Sequence, residues 1–258
     1  QYDIEMLAEI NHAPRLSDAE IVAAAEQFRT SGADVIDLGT VPGESWLRTG
    51  EVVRMLVAEG HRVSIDSFDR REVEAAVDAG AELVLSCNST NLRWAMQLSA
   101  ELVAIPDDAR DLSTLGETIA ALREAGRRFR VDPIIEPIGF GFAASLARYF
   151  ETRRRWSDVA VMMGIGNLTE LTEVDSAGVN MLVAGLCQEL GIGSVLTTEV
   201  IAWCRSAVRE FDIARRLARH AVAGKTLPKH VDSSLVMLRD PRVNEFGADA
   251  LQSLAASL

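Results

Sequence analysis

Eight short apolar runs, each followed by a helix-like run, succeed one another through most of this 258-residue chain, and that alternation limits the folds open to it more than any other feature. "YDIEMLAEIN" leads to "SDAEIVAAAEQFRTSG", "DVIDLGT" to "EVVRMLVAEG" and "RVSIDSF" to "DRREVEAAVDAG". The pattern continues through "RFRVDPII", "VAVMMGIG" and "GSVLTTE" to the long amphipathic "CRSAVREFDIARRLARHAVAG". Ser17 with Glu20 forms a capping box, and Gly32, Gly60, Gly80 and Gly126 each stop a helix just before the next strand. The strands are apolar on both faces, as in a parallel sheet covered by helices. Eight consecutive units favour a closed α/β fold, the (β/α)8 TIM barrel, over an open doubly wound sheet. The barrel is expected over residues 1–224. Residues 225–258, with a last helix-like run "ADALQSLAASL", are expected to form a C-terminal helical appendage packed on it. The chain opens on Gln1 and enters a strand almost at once, which is expected of a fragment of a longer protein.

Composition excludes several function classes. The net charge of −12 leaves no basic footprint for nucleic acid or an anionic membrane. "RRRW" at 153–156 reads as a solvated helix end. Cys87, Cys187 and Cys204 are scattered and odd in number, which points to reduced thiols and a cytoplasmic setting rather than a disulfide framework. No apolar run reaches the ~18 residues of a membrane span, and no signal peptide opens the chain.

In a barrel of this kind, function sits at the carboxyl ends of the strands. There the sequence puts Asn11, Asp37, Asp66, Asn88, Asp132 and Asn167. A carboxylate accepts two parallel N–H bonds from a guanidine-like edge, and an Asn offers a donor and an acceptor together. A flat heterocycle with an amino group beside a ring N–H fits this inventory, and a pterin is such a molecule. A divalent metal fits it less well, because half of the set is amide. Each residue also has a structural alternative. Asp37 is suited to capping a turn, and Asn11 and Asn88 to forming one. Asp66 is a candidate helix cap, although Asp69 is better placed for that role. Asp132 precedes Pro133, which holds it extended.

These stretches resemble the pterin-binding barrel shared by dihydropteroate synthases and methyltetrahydrofolate-binding methyltransferases. "GADVIDLGT" and "VSIDSFDRREVEAAVDAGAELV" resemble the motifs of the second and third strands, and "EINHAP" is similar to the opening of the synthases. "LSCNST" and "MGIGNLTE" resemble the methyltransferases, whereas "RVDPIIEPIGFGF" combines features of both. The resemblance implies that Asp132 takes the amino group and ring N–H of a reduced pterin, with Asp66 and Asn88 on the opposite side. Asn11 would lie near the leaving group or its Mg²⁺, and Asn167 near the ring nitrogen used in methyl transfer. Asn11, Asp66 and Asn167 are thus the expected catalytic residues. Asp37, Asp66, Asn88, Asp132 and Asn167 are the expected pterin contacts.

Two motifs depart from the synthases. The loop after the seventh strand lacks their Lys, and the eighth strand, "VLTTEV", lacks their Arg-x-His. Glu170 and Glu199 add negative charge instead, and Arg48, Arg70, Lys225 or Lys229 would have to supply cations from loops. The resemblance implies a cytoplasmic, homodimeric transferase that joins a pterin methyl carbon to an arylamine. The product would be a folate or a tetrahydromethanopterin-type cofactor. Methyl transfer from a methylated pterin to a corrinoid is the alternative reaction, and a non-catalytic pterin-binding subunit is the third reading.

Overall fold

The computed structural model describes residues 2–236. Its strands are β1 (Glu5–Ile10), β2 (Val35–Gly39), β3 (Val63–Asp66), β4 (Leu83–Cys87), β5 (Glu101–Ala104), β6 (Phe129–Val131), β7 (Ala160–Gly164) and β8 (Ser194–Thr198). All pair in parallel in chain order, and β1 pairs with β8, so the sheet closes as a barrel. The helices are α1 (Asp18–Thr30), α2 (Thr49–Ala58), α3 (Arg70–Asp78), α4 (Leu92–Ala95), α5 (Ser113–Glu124), α6 (Phe142–Arg155), α7 (Gly166–Thr169), α8 (Ser176–Leu190) and α9 (Ala207–Gly224). The Ser17–Glu20 capping box forms at the start of α1, and Asp69, not Asp66, caps α3. Gly32, Gly60, Gly80 and Gly126 all take positive φ, as helix stops before strands require. The short α7 was not anticipated from sequence. Residues 225–236 contain no helix or strand, and the helix expected at 248–258 lies outside the described residues. No helix among the described residues is long and apolar enough to cross a membrane.

The alternation of side chains along each strand sorts the barrel into layers. Leu7, Val35, Leu83, Leu85, Val103 and Met162 form a buried cluster of their own, with Leu196 packed on it. A separate, larger apolar cluster lies in the helix-covered part of the fold. Below the inner layer, ion pairs tie the amino ends of the strands together. Arg130 bonds Glu5 and Glu101 at 2.8 Å each, and Arg62 reaches Glu5 at 2.7 Å and Glu82 at 2.9 Å. Two residues above Leu7 on β1 stands Glu9, and two above Val35 on β2 stands Asp37. The polar chemistry is therefore concentrated at the carboxyl end.

α9 is locked to this end-to-end closure by a buried cation. The Arg215 side chain is 1 % exposed and bonds Asp34 at 2.5 Å and Asp212 at 2.6 Å. It also donates to the carbonyls of Ile4 and Gly32 at 2.7 Å each and stacks 3.5 Å from the Tyr2 ring centroid. The "RRRW" stretch behaves differently from expectation. Arg154 and Arg155 pair with Glu151 on the surface, but Arg153 donates to the Leu190 and Gly191 carbonyls and so caps the end of α8. Removing one partner of a buried ion pair costs about 3–5 kcal/mol, whereas exposed pairs contribute about 1 kcal/mol or less. Arg215→Met is therefore expected to lose several-fold more stability in urea unfolding than Arg62→Gln.

Candidate active site

A cavity of about 580 Å³ opens at the carboxyl ends of the strands. Its apolar floor includes Leu85, Val103, Met162 and Leu196, the top of the inner layer. Its polar wall carries Glu9, Asn11, Asp66, Asp132, Asn167 and Glu170. β4 contributes two consecutive residues, Leu85 and Ser86, because its register shifts between Val84 and Cys87 and Ser86 takes a φ of 67°. Asn91 holds this irregularity: its Nδ2 donates to the Ser86 carbonyl at 3.0 Å and its Oδ1 accepts from the Asn88 amide at 2.9 Å. Ser86 then donates to Asp66 Oδ1 at 2.8 Å.

Asp132 lies just past β6, surrounded by donors. Its Oδ1 accepts from the Ile134 amide at 2.7 Å and the Tyr149 hydroxyl at 2.6 Å, and its Oδ2 from the Gly164 amide at 3.1 Å. A carboxylate has about four lone-pair directions, so Oδ2 keeps one for a ligand. Burial raises the Asp132 pKa, and these three bonds oppose the rise by stabilising the charged form. On the β7 side, Asn167 Nδ2 donates to the Ile135 carbonyl at 2.8 Å, which leaves its Oδ1 as an acceptor.

Across the cavity the acids have few donors. Burial, then the charges of Asp66 and Glu170, push Glu9 up to about 7. The Glu9 Oε1 has only a 3.4 Å contact from Asn11. Gly39 makes room for it, since a Cβ there would lie 2.2 Å from the same oxygen. Burial also raises Asp66. Asp37 is fully buried and titrates well above the usual carboxylate range, through desolvation and then the charges of Asp66 and Glu9. Its Oδ1 accepts from Ser64 at 2.6 Å, while its Oδ2 has no partner. A retained proton on Oδ2 is the form this setting favours.

The cavity thus brings together Asn11, Asp66, Asp132 and Asn167. Asp37 lies beside it, on the strand between Glu9 and Asp66, and is not part of its lining. Asn88 also lies off the lining: its Oδ1 accepts from the Thr90 amide at 3.0 Å and hydroxyl at 2.6 Å, a turn-forming role. Sequence reasoning passed over Glu9 and Tyr149. Glu9 was detectable as an acid in phase with Leu7 inside an apolar strand. Tyr149 carried no such signal, because it comes from a helix.

Among the described residues no Lys or Arg lines the cavity. Arg48 pairs with Asp18 and Glu51, and Arg70 with Glu74. Glu170 faces the cavity and accepts the Val200 and Ile201 amides at 2.9 and 3.0 Å. Glu199 instead accepts the Val208 amide near the start of α9 and a bond from Gln27. Among the described residues no group of three or more His, Cys, Asp or Glu is arranged to hold a metal ion.

Residues 11–114 match the family model of pterin-binding enzymes. Over that stretch the chain is similar to pterin-binding enzymes. It is 30% identical over 267 residues to an uncharacterized protein of Methanocaldococcus jannaschii, with 95% of this chain aligned and about half of that relative's length spanned. Dihydropteroate synthase from Xanthomonas albilineans, in complex with 7,8-dihydropteroate, shares its fold: TM-score 0.64, 23% identity, covering 85% of this chain and 93% of that one. The Thermus thermophilus synthase in complex with 4-aminobenzoate gives a TM-score of 0.63 at 19% identity, covering 85% and 94%. The family match begins at Asn11 and includes Asp37, Asp66 and Asn88, whereas Asp132, Tyr149 and Asn167 lie beyond it.

Asp37 yields a pH prediction. A carboxyl whose folded pKa is raised contributes stability at low pH that is lost as pH climbs from its unfolded value of about 4 toward the folded one. Asp37→Asn, which stays neutral, is expected to flatten that decline. Its stability in urea should fall behind or match wild type near pH 4 and exceed it near pH 8. Parallel stability–pH curves for the two proteins would contradict the assignment.

Proposed function

We propose that the cavity binds the ring of a reduced pterin and that the chain is a transferase of the dihydropteroate synthase type. The amine nitrogen of an arylamine attacks the exocyclic methylene carbon of the pterin. The N–C bond forms, the C–O bond to the leaving diphosphate breaks with its electron pair, and one amine proton is released. The product is the pterin–arylamine skeleton of a folate or tetrahydromethanopterin-type cofactor. The observation that carries this reading is Asp132, a buried carboxylate held by three neutral donors with a lone pair to spare on Oδ2, in a cavity with an apolar floor. A pterin presents an amino group and ring N–H on one edge and a flat apolar face, which matches both features. Asp66 and the Asn167 Oδ1 are the remaining acceptors for its other donors.

A second reading, methyl transfer from a methylated pterin to a corrinoid, is favoured by one observation. The cavity has no cation to stabilise a departing diphosphate, and Glu170 lines it instead. Methyl transfer needs no such site, and Asn167 suits a ring-nitrogen contact. Pyrophosphate release that depends on an arylamine supports the synthase. Methylation of a corrinoid in its absence supports the methyltransferase.

Calorimetry with 6-hydroxymethyl-7,8-dihydropterin tests the binding step. Asp132→Asn should weaken binding by about 30-fold or more, because the amide must turn an N–H toward one of the surrounding donors and loses a charge-assisted bond. Asp37→Asn, off the lining, should weaken it far less. Unchanged affinity in Asp132→Asn would remove that residue from the site. For the 258-residue chain alone, turnover of the pterin diphosphate with 4-aminobenzoate is expected to be weak or absent, since both substrates bring anions into a cavity walled by carboxylates. Robust pyrophosphate release without a partner would show that the anion is held elsewhere.

A further inference from the structure

α6 approaches the cavity with two consecutive residues that no sequence motif marks. Tyr149 is buried to 1% exposure, and its hydroxyl donates to Asp132 Oδ1 at 2.6 Å. Arg148, also buried, donates through Nη2 to the Ile134 carbonyl at 3.0 Å and to Glu136 Oε2 at 2.9 Å. Ile134 is the residue whose amide binds the same Asp132 oxygen, and it sits at a φ of 64°. A β-branched residue in the left-handed region is strained and persists only where its surroundings impose it. Here Arg148 holds the carbonyl of Ile134 and Asp132 holds its amide. Glu136 completes the clamp and needs Gly141 beside it, where a Cβ would lie 2.5 Å from Glu136 Oε2. One turn of one helix thus holds the Asp132 carboxylate directly and also the loop that supplies its amide donor.

We propose that Tyr149 and Arg148 are positioning residues for Asp132: Tyr149 keeps its carboxylate in the charged, ligand-accepting form, and Arg148 keeps the Ile134 loop folded beneath it. This rests on the pterin reading for its ligand but not for its geometry. Both residues act through Asp132 and have no need to touch the ligand. Their separate tasks predict different signatures. A donor that favours the charged form opposes the effect of burial, so its loss raises the pH at which Asp132 takes up a proton. Loss of the loop clamp also disorders a residue of the cavity lining, so its effect persists where Asp132 is charged.

The groups around Asp132 are Tyr149 and Arg148 on α6, Glu136 in the preceding loop, Cys187 on α8 and the Gly164 amide on β7. Across the cavity stand Glu9, Asp66 and Glu170. Burial raises the Cys187 thiol, so it stays neutral throughout the test range. Apart from the substituted residue, these groups are common to wild type and each variant. Ratios of affinity between proteins, rather than absolute affinities, therefore isolate the contribution of each tie.

The probe is 6-hydroxymethyl-7,8-dihydropterin, whose own ionisation cancels in such ratios. Tyr149→Phe is expected to bind it about tenfold more weakly than wild type near pH 5.5, with the ratio closing toward one by about pH 8.5. Arg148→Gln is expected to keep a loss of about tenfold even near pH 8.5, because Ile134 lines the cavity and its loop is no longer tied when Asp132 is charged. A pH-independent loss in Tyr149→Phe, or wild-type affinity in either variant, overturns the proposal. Carboxyl ¹³C NMR of Asp132 reads the tie with no ligand present: Tyr149→Phe must move its titration upward, and an unmoved titration overturns the proposal. That result stands even where wild type fails to bind the pterin, an outcome that would count against the functional reading alone. Should Tyr149→Phe not fold, Arg148→Gln decides by the same affinity criterion.

Discussion

Pairing of β1 with β8 closes the sheet, and closure decides which side chains must share the barrel interior. Inside a closed barrel every second residue of every strand points at the others, and no water fills the space. The middle of this interior is filled by Leu7, Val35, Leu83, Val103 and Met162. At the amino end Arg62 and Arg130 neutralise Glu5, Glu82 and Glu101. At the carboxyl end no Lys or Arg among the described residues does the same for Glu9, Asp37 and Asp66. The two ends of one barrel thus solve the same electrostatic problem in opposite ways. One end is a satisfied structural plug, and the other is left with charge that a ligand or a proton must answer.

That asymmetry is costly to stability and useful to binding. Burying acids with few donors and no cation beside them raises their pKa values, as Glu9, Asp37 and Asp66 display, and perturbations of this kind concentrate at functional sites. Asp132 is the exception on this face. It is half-buried, like Glu9 and Asp66, but is held by three donors, so it remains the acceptor best prepared for an N–H edge. The cavity therefore has two chemically distinct walls, one organised to accept hydrogen bonds and one crowded with acids. A ligand rich in donors suits both walls, and an anion suits neither.

Much of this was legible along the chain. The apolar runs, the Ser17–Glu20 box and the glycines before strands located nearly every element, because helix and strand periods and caps are local properties. The strand-end positions also singled out Asn11, Asp66, Asp132 and Asn167, which line the cavity together. Asn88 and Asp37 illustrate the limit. Both lie at or near a strand end, yet Asn88 is committed to its own turn through Thr90, and Asp37 is one position below the lining, bonded to Ser64 on the next strand. Which of two adjacent levels a residue occupies depends on strand stagger, and stagger is not written in either strand alone.

The sequence by itself determined the order of strands and helices, the parallel closed barrel and the acidic, amide-rich character of the strand ends, since each follows from short-range pattern. Tertiary structure alone decided how those ends are wired. The register shift in β4 turned Ser86 toward Asp66, the packing of α6 delivered Tyr149 and Arg148 to Asp132 and its loop, and the turn of the barrel set Glu9 among other acids with no cation in reach. The physical reason is that charge state and hydrogen-bond supply depend on neighbours brought in from distant parts of the chain, whereas periodicity and capping depend only on residues a few positions away.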